Sequence, residues 1–265
     1  MKIFASAAQK GGVGKTTTAI SVAGVLAARG ARVLLVDLDP HTSLSTYCQV
    51  FEAQTANTVF ALFEAAARQG RVEPRQLVRS TPIEGISLVA GSNALFAVDR
   101  RFGNTPGMGL VLQQHLPGLA DHFDYCLLDC SPSLGTLLVN ALACCDFLLA
   151  PVQTEYLAVE SALAMTRTLR LVAARQQQSV PYLLVPTMFD RRTRSSHESL
   201  RRLRQQHGVR VWSDVIPVDT QFREASRVGQ PLTRLRPRSR GAEAYTRLTD
   251  FVLAEMEQHY WQEAS

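Results

Sequence analysis

Lys10-Gly-Gly-Val-Gly-Lys-Thr-Thr17 is the stretch on which the reading of this chain turns. It follows a short run, Lys2–Ala8, and opens a segment, Thr16–Arg29, with apolar residues at helical spacing and Gly30 just past its end. Strand, glycine-rich turn and helix in that order make a phosphate cradle. Glycines let backbone N–H groups converge on phosphate oxygens, and the helix N-terminus adds its partial positive charge. Lys10, Gly11, Gly12, Val13, Gly14, Lys15, Thr16 and Thr17 are the expected nucleotide-binding set, with Lys15 on the β and γ phosphates and the Thr16 hydroxyl on Mg²⁺. The pattern G-x-x-x-x-G-K-[ST] is broken at its first glycine, where Gln9 stands, and a second lysine, Lys10, sits at the mouth of the loop. A dinucleotide fingerprint fits worse, because its third glycine falls on Thr17.

Outward from this loop, Arg32–Asp37 is an apolar run of the kind buried on both faces of a parallel sheet, and the signature recurs at Ile86–Ala90, Tyr125–Asp129, Phe147–Pro151 and Tyr182–Pro186. Helical stretches separate these runs at Thr58–Arg68, Leu134–Ala143 and Ala158–Arg175, and a last helix is expected from Gly241 to about Trp261. Alternation of this kind predicts an α/β fold, a doubly wound and mostly parallel sheet flanked by helices. Asn93–Gly109 is rich in turn residues and has the weakest pattern of any part of the chain. No repeat, linker or compositional break divides the chain, so residues 1–265 are read as one domain.

Composition narrows the class. The chain has 265 residues, 46% hydrophobic and 19% charged, and no apolar run long enough for a membrane span or a secretory signal. Its cysteines, Cys48, Cys126, Cys130, Cys144 and Cys145, are odd in number and form no C-x-x-C pair, which argues against a disulfide framework or zinc ribbon and fits a reducing cytosol. Only three lysines occur beside 25 arginines, and 13 of those arginines lie between Arg191 and Arg240 with four acids. That segment carries +9 of a total of +5, leaving −4 elsewhere, so the basicity is local and points to a polyanionic partner.

The double-lysine loop resembles the deviant Walker A motif of the ParA/MinD superfamily of ATPases. Val36-Asp-Leu-Asp-Pro40 is similar to that family's switch I, and Leu127-Leu-Asp-Cys-Ser-Pro132 to its Walker B and switch II. Pro186-Thr-Met-Phe-Asp190 and Ile216-Pro217 resemble its adenine-side segments, so the blocks cover about residues 1 to 245 in order. The resemblance implies a P-loop NTPase fold of the deviant Walker A type with ATP and Mg²⁺. Asp129 then holds the metal shell and Asp39 polarises the attacking water. Asp37 supports Mg²⁺ or the loop, and Met188, Pro217 and Asp219 lie on the adenine side. Lys10, the signature lysine, reaches the partner's ATP in a nucleotide sandwich dimer, so Lys10, Lys15 and Asp39 form the catalytic set. Iron-protein relatives bridge a cluster with cysteines, but Cys130 directly follows Asp129 and the vicinal pair lies in an apolar helix end, which reads as small buried side chains.

The C-terminal helix is acidic, which disfavours the membrane anchoring of MinD-type members, and a phosphate loop this near the start leaves no room for the N-terminal DNA-reading domain of larger ParA proteins. What remains resembles the small ParA group, which uses non-specific DNA as a track and works with a cargo adaptor or a ParB-like activator in the cytoplasm, on the nucleoid or at a pole. Arg192 falls on a DNA-contacting position of relatives. Arg191, Arg194 and Arg223 are read with it as the DNA-binding set, and Gln221 replaces a second such arginine. Pro40-His41, Phe189-Asp-Arg-Arg-Thr193 and Pro217-Val-Asp219 look closest to ParA-like proteins of chemotaxis operons, which implies a chemoreceptor cluster as cargo. Chromosome or plasmid partition, a nucleotide-gated adaptor with little turnover and a cobyrinic-acid-type amide synthase are the alternatives.

Overall fold

Buried apolar strands build the sheet, and the order in which they pair sets where the site forms. The computed structural model describes residues 1–51, 54–176 and 179–258. Along the chain run β1 (Lys2–Ser6), α1 (Lys15–Ala28), β2 (Val33–Leu38), α2 (Ser43–Tyr47), α3 (Phe60–Ala67), β3 (Val78–Ser80), β4 (Ile86–Val89), α4 (Val98–Phe102) and α5 (Val111–His115). They are followed by β5 (Tyr125–Cys130), α6 (Thr136–Cys144), β6 (Phe147–Gln153), α7 (Tyr156–Gln176), β7 (Tyr182–Thr187), α8 (Arg194–His207), α9 (Gln221–Arg227), α10 (Leu232–Leu235) and α11 (Arg240–Gln258). The seven-stranded sheet has the order β3-β4-β2-β5-β1-β6-β7. All neighbours are parallel except β3 against β4.

The sheet has helices on both faces, as the alternating pattern predicts. Phe60, Phe63, Val111, Leu138 and Ala158 pack on one face with the inward side chains of β1, β2 and β5. Ile20, Ala23, Tyr245 and Leu248 cover the other face through α1 and α11. The six expected apolar runs are β1, β2, β4, β5, β6 and β7. The edge strand β3 has three residues, too few to show an alternation. Helix α8 also escapes the sequence reading, since its buried side is only Ser196, Ser199, Leu200 and Leu203 amid arginines. The turn-rich stretch Asn93–Gly109 holds a 3₁₀ segment, Asn93–Ala97, and α4, and a second 3₁₀ segment, Met108–Leu110, starts at its end. The last helix is described to Gln258, so its expected end near Trp261 lies outside the described residues.

Residues 211–217 run alongside β7, with Trp212 N–H donating to Leu184 O at 2.9 Å and Ile216 N–H to Pro186 O at 2.8 Å. This extended segment covers the sheet edge and carries Pro217–Asp219 to the loop that follows β7. No helix among the described residues is long and apolar enough to cross a membrane.

Candidate active site

Parallel register brings the chemistry to one edge. Ser6, at the end of β1, pairs with Asp129 on β5, and Asp129 pairs with Asp37 on β2. Loops at the carboxyl ends of parallel strands are where open α/β sheets bind ligands. The phosphate loop begins there. Gly12 and Gly14 take φ of 74° and 97°, a left-handed backbone that side chains resist. A Cβ built on Gly11, Gly12 or Gly14 meets nothing within 4 Å, so the loop is open around its glycines. Ser6 Oγ donates to Lys15 O at 2.9 Å and Thr187 Oγ1 to Val13 O at 2.8 Å, which fastens the loop to β1 and β7.

The two lysines have different surroundings. Lys15 is buried, with its Nζ 3.4 Å from Lys10 O inside the loop. Lys10 is partly exposed and its Nζ lies 3.5 Å from Glu155 Oε2, just before α7. Gln9, at the position of the missing glycine, donates from Nε2 to Thr168 Oγ1 on α7 at 3.0 Å.

Residues suited to Mg²⁺ meet beside the loop. Thr16 Oγ1 donates to Asp129 Oδ2 at 2.6 Å, while Asp129 Oδ1 is buried with no hydrogen-bond partner. Burial, with Asp37 close by, pushes the Asp129 carboxyl well above the usual carboxylate range. An orphaned carboxylate oxygen next to a threonine hydroxyl fits a hard, oxygen-seeking cation, whose charge would favour the ionised form. Asp37 is differently engaged. Its Oδ1 accepts from Asp39 N at 3.1 Å, and its Oδ2 accepts from Ser45 N at 2.8 Å and Ser45 Oγ at 2.7 Å. Burial raises its carboxyl to about 6. Gly91 N–H donates in turn to Ser45 Oγ at 2.9 Å. Of the two roles considered for Asp37, these bonds favour bracing the loop. Asp39 is also buried, and its Oδ1 accepts from His41 N at 2.9 Å.

A cleft of about 660 Å³ opens beside the phosphate loop, walled by Val13, Thr17, Met188, Pro217, Asp219 and Tyr245. Met188 follows β7 with φ of 52°, so its backbone is strained where the chain turns into this cleft. Each Asp219 oxygen accepts a backbone bond, Oδ1 from Gln221 N at 3.0 Å and Oδ2 from Gly241 N at 3.1 Å, leaving a second lone pair on each.

The arginine segment is contiguous in sequence but not on the surface. Arg191, Arg192, Arg194 and Arg223 are all exposed, and Arg223 lies at the rim of the cleft. By contrast Arg202 reaches Glu160 on α7 at 2.6 Å, and Arg234 reaches Glu84, just before β4, at 3.1 Å. Ser45, Gly91, Thr187 and Glu155 are site residues that reasoning from the sequence missed. Thr187 lies inside the quoted Pro186–Asp190 block, whereas Ser45 and Gly91 carry no local signal. All five cysteines are free thiols, and Cys144 alone is more than marginally exposed.

The fold and loop are those of a phosphate-loop ATPase. The AAA domain family matches residues 1–181. The chromosome-partitioning ATPase Soj of Thermus thermophilus is 34% identical over 256 residues, 96% of each chain. The chromosome partitioning protein ParA of Caulobacter vibrioides is 31% identical over 257 residues, 96% of this chain and 94% of that one. Among solved structures, apo McdA of Cyanothece matches with TM-score 0.84 at 22% identity over 96% of this chain and 99% of that one. Cobyrinic acid a,c-diamide synthase of Mycobacterium smegmatis, with an ATP analogue and magnesium bound, matches with TM-score 0.82 at 28% identity over 98% of both chains. The chain belongs to the ParA/MinD superfamily of ATPases.

Proposed function

We propose that residues 1–265 form one ParA-like ATPase domain that closes as an ATP-dependent sandwich dimer, binds DNA without sequence preference and positions or segregates a cellular cargo. The observation that carries this reading is the pair of lysines. Lys15 is buried inside its own loop, whereas Lys10 is partly exposed and its Nζ lies beside the exposed carboxylate of Glu155. A partly exposed lysine at the mouth of a phosphate loop has work to do when a second copy faces it.

In this reading Lys15 and the loop amides bind the phosphates, and Thr16 and Asp129 hold Mg²⁺, with Asp37 bracing switch I from behind. Bound Mg²⁺ supplies neutralising charge at the β and γ phosphates. Asp39 orients water for attack on the γ-phosphate, and Lys10 acts across the dimer interface as an arginine finger does. Met188, Pro217 and Asp219 border the base. Turnover is slow and partner-stimulated. Arg191, Arg192, Arg194 and Arg223 contact DNA, which places the protein on the nucleoid or at a pole in the cytoplasm.

The names of its relatives favour partition, with a ParB-like activator as partner, over the chemoreceptor cargo suggested by three short segments. Localisation of a fluorescent fusion separates the two: foci that follow replication origins support partition, and foci that follow receptor arrays support the other cargo. The M. smegmatis structure keeps the amide-synthase reading in play, and ATP turnover without an acceptor acid or amine counts against it. The dimer is tested by light scattering. Asp39→Ala should dimerise on ATP and remain monomeric on ADP, and adding Lys10→Ala should abolish the dimer. A dimer indifferent to nucleotide overturns the mechanism.

A further inference from the structure

His41 stands two residues past Asp39, the acid read as orienting water, and its ring has a partner. The imidazole meets Phe96 edge to face, with ring centroids 5.2 Å apart and planes at 84°. The His41 backbone N–H donates to Asp39 Oδ1 at 2.9 Å, and Thr42 N–H donates to Asp39 O at 2.8 Å. Thr42 takes φ of 55°, so the turn that presents Asp39 adopts a backbone that a β-branched residue resists. A turn of this kind keeps its shape while its neighbours fix it.

Phe96 sits on a fixed base. It lies in the 3₁₀ segment Asn93–Ala97, which Ser92 caps by accepting the Ala94 N–H at 3.2 Å, and buried Leu95 and Val98 anchor it on either side. Phe96 itself is 62% exposed, so it adds little to the core, and its contact with His41 is what its removal costs. The same stretch grips the turn from a second side. Gly91 N–H donates to Ser45 Oγ, Ser45 Oγ donates to Asp37 Oδ2, and Asp37 Oδ1 accepts the Asp39 N–H. Farther along, Asp99 Oδ1 accepts the Thr136 N–H at 2.7 Å where α6 begins, and a Cβ on Gly135 would collide with Asp99 Oδ2. Residues 91–99 thus form a strut between the turn after β2 and the loop after β5. Neither Phe96 nor His41 walls the nucleotide cleft.

We infer that Phe96 is a positioning residue for ATP hydrolysis, which holds His41 and, through the His41 backbone, aims the Asp39 carboxylate. This rests on the reading of Asp39 given above and deepens it. Phe96 acts through the turn and not on the phosphates, so it governs turnover and leaves nucleotide binding alone.

The test is hydrolysis of radiolabelled ATP by the full chain with Mg²⁺, beside displacement of a fluorescent ATP analogue, light scattering with ATP and a thermal melt. Phe96→Ala should lower kcat about threefold, within the range of an edge-to-face ring contact, with ATP affinity, dimer and melting midpoint unchanged. Phe96→Tyr keeps the ring and should restore the rate. His41→Ala keeps the backbone bond to Asp39 but loses the imidazole, and should slow turnover by the same factor. The double variant should lose no more than either alone, because the two share one contact. A wild-type rate in Phe96→Ala, with Asp39→Ala inactive, overturns the inference and leaves Asp39 in its role. A wild-type rate in Asp39→Ala removes that role and the inference with it. Additive losses in the double variant overturn the inference as well. So does a rate that falls in step with ATP affinity, dimer or melting midpoint, which would make Phe96 part of the site, the interface or the core. If Phe96→Ala does not fold, exposed His41→Ala carries the same expectations, with Phe96→Tyr as its control.

Discussion

Single residues carry the phosphate chemistry, and the strongest expectations belong to them. Lys15→Ala removes the buried ammonium of the loop and should abolish productive ATP binding, read by isothermal titration. Retained affinity would displace Lys15 from its role. Ser45 gives a subtler case. Its hydroxyl donates to the fully buried Asp37 carboxylate and accepts from Gly91 N–H, so Ser45→Ala leaves both groups short of a partner. Loss of about 1–3 kcal/mol of stability is expected from such orphaned buried groups, measured by urea unfolding. A change within a few tenths would mean that the loop relaxes and Asp37 finds other donors. Gly91 has its own reason: a Cβ there would stand 2.9 Å from Asp37 Cγ, so no larger residue fits behind the switch.

At the scale of elements, α1 links the phosphate loop to the rest of the molecule. It packs along α11, where Thr18 Oγ1 and Tyr245 Oη are 2.9 Å apart and both side chains are buried. It also meets α10 at Gly24, where a Cβ would fall 2.5 Å from Thr233 Oγ1 and 2.6 Å from Pro231 Cβ. Gly24→Ala should therefore destabilise the fold by about 1–3 kcal/mol through overpacking, although alanine is the better helix former. A thermal melt reads the sign directly: a raised midpoint would show that α10 can move aside. Helix α8 illustrates the opposite arrangement. Among its arginines, exposed Arg194 is tied locally to Glu198 at 2.7 Å, and such an exposed pair adds little to stability.

Across the whole molecule, two properties follow from burial. The thiols are spread through the core, and burial pushes Cys48 and Cys144 up to about 12 and Cys126, Cys130 and Cys145 well above the ordinary thiol range. Native protein at neutral pH should react with a disulfide exchange reagent slowly and chiefly at half-buried Cys144, whereas all five should titrate in denaturant. Rapid reaction of Cys130 in the native state would place switch II in solvent. The second property is charge. Thirteen arginines look like one patch in sequence, yet Arg202 and Arg234 are paired to opposite parts of the fold. DNA affinity should fall with salt at a slope near −0.9 per phosphate contact, so the slope counts the arginines that remain to meet DNA. A slope near zero would remove DNA as the track.

The phosphate loop, the six principal strands and the acids closing β2 and β5 were legible in the sequence because each depends on local pattern. Glycines are needed where amides converge, apolar runs where strands are buried on both faces, and carboxylates appear where those runs stop. Strand β3 and helix α8 were not legible, the first too short for a period and the second too polar to show a stripe. Strand order was decided only in three dimensions, and so were the hydrogen bonds that engage both Asp37 oxygens and the pairing of Thr16 with Asp129 across 113 positions. Arg192 shows the same limit at close range: its charge is evident from the sequence, but its pairing with Asp190 depends on how the turn after β7 is folded. Composition determines which groups a chain can bring to a site. The packing of distant segments determines which of those groups are left without a partner, and an unpartnered group is what binds a ligand.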